Sequence, residues 1–138
     1  IQRYPPGSSL DIKSLICISF LLPTGSNVGT TVAGITGSPG SSLAQLSNPS
    51  AIYVDQNDAM YILDTSNCRV LQWDLGDPFG RVLVNGRGCG STLDRIGTSY
   101  AMFIDSQWNI YVSENTNHRV TKWMNGNNVV GQIVRVFS

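Results

Sequence analysis

Short apolar runs alternating with polar clusters dominate this chain. Residues 52–54 and 60–63 are apolar and flank the cluster Asp55, Gln56, Asn57, Asp58, whose side chains bond to nearby backbone and tolerate turn conformations. That pattern predicts a β-hairpin. A second polar cluster, residues 64–67, leads into Arg69-Val-Leu-Gln-Trp73, where Val70 and Gln72 alternate with Leu71 and Trp73 as a third strand requires. Residues 80–84 supply a fourth strand. The same succession recurs downstream, with strands expected at 102–104, 110–113, 119–123 and 132–136.

The recurrence is in register and without gaps. When residues 51–74 are set over 101–124, Ala51, Asp55, Tyr61, Asn67, Arg69, Val70 and Trp73 fall on Ala101, Asp105, Tyr111, Asn117, Arg119, Val120 and Trp123, a constant offset of fifty. Most other pairs keep size or polarity, as with Tyr53/Phe103, Val54/Ile104 and Asp64/Glu114. Two such segments are copies of one structural unit, with a period in the range of repeat architectures. The expectation is an all-β protein of consecutive four-stranded antiparallel sheets, with repeat cores at 51–74 and 101–124 and repeat units over 28–138.

The front of the chain carries traces of the same unit. Residues 1–4 align with 70–73 and 120–123, so residues 1–7 are expected to hold the third strand of a truncated unit, while residues 29–34 resemble a closing fourth strand. Between the third and fourth strands the later copies use short links, but here the chain spends residues 5–28. Residues 8–27 therefore read as an insertion carrying an extra strand or as a gene-model artefact such as a translated intron. The chain starts without methionine, which is expected of a processed product or fragment.

Composition narrows the function classes. Nine basic and nine acidic residues give a formal net charge of zero, so the broad positive footprint that selects nucleic acid is missing and none is expected as a partner. The longest apolar run, residues 15–22, is far shorter than the ~20 residues a membrane-spanning helix needs, and no membrane span is expected. The three cysteines, Cys17, Cys68 and Cys89, contain no Cys-x-x-Cys pair; they fit neither a zinc ribbon nor a dense disulfide framework. Cys89 is expected to be an exposed thiol without an activating partner. Localisation stays open.

Residues 61–73 and 111–123, Tyr-Ile-Leu-Asp-Thr-Ser-Asn-Cys-Arg-Val-Leu-Gln-Trp and Tyr-Val-Ser-Glu-Asn-Thr-Asn-His-Arg-Val-Thr-Lys-Trp, resemble the NHL repeat, named for the asparagine, histidine and leucine of its consensus. Asn117, His118 and Arg119 match the motif, as do Asn67 and Arg69. Cys68 replaces the histidine in the first copy, Glu114 replaces the usual aspartate in the second, and Ser99 stands where Pro49 provides the usual proline. The resemblance implies blades of a six-bladed β-propeller, and the remaining blades of a longer chain as neighbours. It implies a non-catalytic scaffold that binds protein partners, with no cofactor. Propellers similar to this one also include an amidating lyase and lactonase-like, metal-dependent hydrolases, and extracellular sensor or adhesion domains.

The residues themselves favour structure over chemistry. His118 is the only histidine, so no histidine-rich metal or acid–base set can be assembled around it. Asn67 and Asn117 are expected to close the turn before the third strand. Arg69 and Arg119 are expected to reach Asp55, Asp64, Asp105 or Glu114. Asp55, Asp58, Asp105 and Glu114 could supply oxygen to calcium, but their spacing matches no calcium loop. Residues 86–90, Gly-Arg-Gly-Cys-Gly, lack the lysine and following helix of a phosphate-binding loop. Tyr4, Trp73 and Trp123 share one repeat position and are expected in the core. Trp108, at a hairpin tip where the sister copy has Asp58, is a candidate partner contact or packs on a neighbouring loop.

Overall fold

The computed structural model describes residues 2–3, 18–21, 29–85 and 87–136; Tyr4, Cys17, Gly86 and the 8–27 segment apart from Ile18–Leu21 lie outside them. The described residues are all-β, with one short 3-10 turn and no α-helix. Strands β1 (Gln2–Arg3), β2 (Ile18–Leu21) and β3 (Gly29–Ala33) form a small sheet in the order β1-β2-β3, the first pair parallel and the second antiparallel. Strand β2 comes from the 8–27 segment and lies between β1 and β3.

Two four-stranded antiparallel sheets follow. The first contains β4 (Pro49–Val54), β5 (Met60–Asp64), β6 (Arg69–Trp73) and β7 (Arg81–Val84), each paired with the next. The second repeats it with β8 (Ser99–Ile104), β9 (Ile110–Glu114), β10 (Arg119–Met124) and β11 (Asn127–Val136). Pairing registers match across the fifty-residue offset: Tyr53 faces Tyr61 as Phe103 faces Tyr111, and Asp64 faces Arg69 as Glu114 faces Arg119. The last strand starts well before residue 132. Met124 pairs with Asn127 across a two-residue Asn125-Gly126 turn, in which Gly126 has φ +76°; Asn-Gly is a strong hairpin signal in its own right.

The middle sheet is covered on both faces. Met60, Ile62, Leu71 and Trp73 pack on one side with Ala33 of β3 and Leu46, while Leu63, Val70 and Val84 pack on the other with Ile96, Ile104, Ile110, Val112 and Trp123. Among the described residues, the second sheet is covered on that side only. This explains where the two copies diverge in sequence: Leu63 is fully buried, but its counterpart Ser113 is exposed. A position that needs an apolar side chain between two sheets carries a hydroxyl where it meets solvent.

The segments leading into each sheet are built alike as well. Leu46 and Ile96 are both 0% exposed, and the carbonyl of each accepts from a glycine amide, Gly40 and Gly90, at 3.2 and 3.1 Å. Gly80 and Gly131 donate to the carbonyls of Leu43 and Leu93 and lie flat on Trp73 and Trp123. A Cβ there would come within 2.8 and 2.9 Å of the indole rings, so glycine allows the fourth strand to close over the buried tryptophan.

Candidate functional site

The acid, asparagine and arginine singled out in each copy meet in one buried cluster. Asp64 and Glu114 end β5 and β9, Arg69 and Arg119 begin β6 and β10, and the intervening turn carries Asn67 and Asn117. Arg69 Nε donates to Asp64 Oδ2 at 2.8 Å and Arg119 Nε to Glu114 Oε2 at 3.0 Å; both carboxylates are fully buried. The rest of the guanidinium fork turns to the leading segment. Arg69 donates to the carbonyls of Ser41, Ser42 and Gln45, and Arg119 to those of Ser91, Thr92 and Arg95. Asn67 bridges Asp64 and the Gly40 carbonyl, as Asn117 bridges Glu114 and that of Gly90. Each cluster staples a loop to its own sheet, and its donors are consumed in doing so.

The replacement of aspartate by glutamate in the second copy is compensated locally. Asp64 accepts from the Ser47 amide with its second oxygen. Glu114, one methylene longer, uses Oε2 for Gly97, Asn117 and Arg119 and reaches Thr121 Oγ1 with Oε1 at 2.7 Å. Thr121 stands where the first copy has Leu71. Its hydroxyl accepts from Trp123 Nε1 at 3.0 Å, whereas Trp73 Nε1 donates to the Asp77 carbonyl. Glutamate and threonine thus changed together, a pairing visible in the sequence only once the copies are aligned.

Asp55 and Asp105 do not take part in these clusters. Each closes its hairpin turn: Asp55 Oδ1 accepts from the amides of Asn57 and Ala59, and Asp105 Oδ1 from those of Gln107 and Asn109. The Asn109 side-chain amide above all, then the two backbone amides and the Tyr111 hydroxyl, hold the Asp105 carboxyl below the usual aspartate range against a smaller opposing effect of desolvation.

His118 occupies the left-handed backbone position that ends the turn, with φ +50°, and Cys68 occupies its counterpart with φ +49°. Histidine tolerates that conformation better than most residues. His118 is exposed and sits at a hollow of about 470 Å³ together with Tyr100, Ala101, Ser113 and Asn115. The matching hollow of the middle sheet is filled: Ile96 packs beside Leu63 and Cys68, and the Ser99 carbonyl accepts from the Thr65 hydroxyl at 2.8 Å.

The expected free thiol at Cys89 is corrected by the structure. Cys89 is disulfide-bonded to Cys68, with Cα atoms 5.0 Å apart and a sequence separation of 21. The bond pins the segment that leads into the second sheet onto the turn of the first. Separation in sequence hides the pair; the repeat brings it together, because the leading segment of one unit runs past the β5–β6 turn of the unit before it.

Trp108 is engaged within the chain. Its φ of +65° is an uncommon conformation for so bulky a residue, held by contact with the neighbouring sheet. The indole stacks on Tyr61 at 5.5 Å and meets Tyr53 edge-on at 6.1 Å, while 41% of the residue stays exposed. Its partners are strand aromatics, so the expected packing on a loop is replaced by packing across the two sheets. Burial, followed by the charges of Asp55 and Asp74, raises the Tyr61 pKa above its ordinary value. Beside this trio a groove of about 580 Å³ runs between the sheets, lined by Gln72, Arg81, Trp123 and Asn125 among others.

Among the described residues no three His, Cys, Asp or Glu side chains converge as metal ligands, and no helix is long and apolar enough to cross a membrane. No model of a known protein family matches the chain, and no curated protein sequence matches it.

Proposed function

We propose that this chain is an NHL-repeat β-propeller segment that serves as a non-catalytic scaffold for protein binding, its two four-stranded sheets being adjacent blades. One observation carries the reading: the polar groups that could do chemistry are bound into the fold, while a strand-built face is left open. Asp64, Asn67, Arg69 and their counterparts hold leading segments, whereas Tyr100 and Phe103 of the second sheet are exposed. The chain's zero net charge disfavours a nucleic-acid ligand.

Metal analysis of the purified protein tests this against the rival enzyme class. Under the scaffold reading, dialysed protein retains no stoichiometric calcium or zinc and gives saturable binding of a purified protein partner without turnover. Stoichiometric retained metal would overturn it in favour of an amidating-lyase-like or lactonase-like centre. The Cys68–Cys89 disulfide favours an extracellular setting for the same binding role, as in a sensor or adhesion domain, because such bonds persist in oxidising compartments.

A further inference from the structure

Independently of the binding reading, we infer that Asn125 is a site of spontaneous covalent modification, deamidation to aspartate and isoaspartate, which loosens the neighbouring hairpin tip that carries Trp108. The dipeptide Asn-Gly occurs twice in the chain, at residues 85–86 and 125–126. Glycine after asparagine leaves the next backbone nitrogen without a side chain to shield it, so both sites are chemically prone to lose ammonia. The fold separates them.

Asn85 is 6% exposed. Its Nδ2 donates to the carbonyls of Cys68 at 2.6 Å and Gly88 at 2.9 Å, and its Oδ1 accepts from the Arg87 amide at 2.9 Å. That carboxamide cannot swing towards the backbone without breaking these bonds. Asn125 stands exposed at its hairpin turn. Its Nδ2 reaches the Gln107 carbonyl at a long 3.4 Å, and no atom outside the chain neighbours lies within 4 Å of the point where Gly126 would carry a Cβ, so the turn is open to water. The exposure belongs to the turn itself and does not depend on what lies beyond the second sheet. The corresponding link of the middle sheet, residues 74–79, is exposed throughout although that sheet is covered on both faces.

The Gly126 nitrogen attacks Asn125 Cγ and forms a nitrogen–carbon bond; the Cγ–Nδ2 bond breaks, and ammonia leaves with the proton that the glycine nitrogen gives up. A cyclic imide remains. Water then opens it, at Cγ to restore the ordinary backbone as aspartate, or at the backbone carbonyl carbon to give isoaspartate, whose backbone is one methylene longer. Either product acts on the adjacent tip. The Asn125 amide donates to Asn109 Oδ1 at 3.1 Å and Nδ2 faces the Gln107 carbonyl, and Gln107 and Asn109 flank Trp108. A carboxylate puts an acceptor where a donor faced that carbonyl, and the longer backbone displaces the amide held by Asn109. The support beneath the stack of Trp108 on Tyr61 weakens accordingly.

The test incubates the whole oxidised protein in mildly alkaline buffer at physiological temperature and follows both sites by peptide mass mapping, which reads the gain of one mass unit and separates aspartate from isoaspartate. Expected in folded protein is conversion at Asn125, with Asn85 slower by ~10-fold or more because it reacts only on local opening. In urea the two rates converge. Asn125→Gln, which keeps an amide but closes the ring far less readily, abolishes the conversion. Spectra of isotope-labelled protein then show the Trp108 indole and the Gln107 and Asn109 amides shifting as conversion proceeds, and Asn125→Asp reproduces part of that shift. The inference is overturned if Asn125 stays intact in folded protein while the urea sample reacts, if Asn85 keeps pace with it, or if conversion leaves the Trp108 resonances unmoved. None of these results touches the scaffold reading, which the metal measurement decides.

Discussion

Replacing Arg119 by methionine tests the physical role of the repeated arginine. The change keeps most of the apolar stem and removes the guanidinium. Glu114, with a side chain 0% exposed, is then left in the interior without its counter-charge, and the carbonyls of Ser91, Thr92 and Arg95 lose their donors. Orphaning one partner of a buried ion pair costs ~3–5 kcal/mol, a large share of the ~5–15 kcal/mol that stabilises a domain. For a chain of this size the thermal midpoint falls by roughly 10–15 °C. Urea unfolding followed by tryptophan fluorescence and by circular dichroism measures the loss and checks that the transition is two-state. Glu114→Gln keeps an oxygen for the Gly97, Asn117 and Arg119 donors but takes the counter-charge from Arg119; it costs less than Arg119→Met because the guanidinium retains the carbonyls of Ser91, Thr92 and Arg95. The double variant is more stable than the sum of the single losses implies, because no uncompensated charge is left. A loss below ~1 kcal/mol for Arg119→Met, or additive effects in the double variant, would refute the idea that a paired buried charge holds the leading segment.

Three further outcomes follow from the site. Unreduced, denatured protein should expose one titratable thiol of its three cysteines, and the Cys68→Ala/Cys89→Ala variant should lose ~3 kcal/mol, the loop-closure value for this separation; three free thiols would contradict the bond. Thr121→Val strips the partner from both Glu114 Oε1 and Trp123 Nε1 and should destabilise by ~2–3 kcal/mol, well above the ~1 kcal/mol expected of Leu71→Val in the sister position. Because the folded Asp105 pKa is depressed, its turn is at full strength above the unfolded aspartate value and weakens as pH falls through the folded one. The Gln107 and Asn109 amides should therefore titrate below the ordinary aspartate range and cease to do so in Asp105→Asn; a midpoint at or above that range would count against the turn.

How much of this was legible beforehand depends on whether the chemistry was local. Strand positions, hairpin turns and the equivalence of the two units follow from alternation, turn residues and the fifty-residue offset, all of which act over a few neighbours. The Asp64–Arg69 and Glu114–Arg119 pairs were within reach too, since residues at the facing ends of adjacent strands are brought together by the hairpin itself. The Asn125-Gly126 turn was legible in principle, because a strong local signal sits there.

What lay out of reach depends on how one unit meets the next. Alignment marks Cys68, His118, Leu63 and Ser113 as differing positions, but only packing shows how they differ: among the described residues one sheet is covered on both faces and the other on one. The Cys68–Cys89 bond, the capping of Tyr53 and Tyr61 by Trp108 and the arginine contacts to backbone carbonyls all join segments distant in sequence. Side-chain alternation tells each strand which residues share a face; it carries no information about what comes to cover that face, which is settled by how neighbouring sheets stack and where the segments between them run.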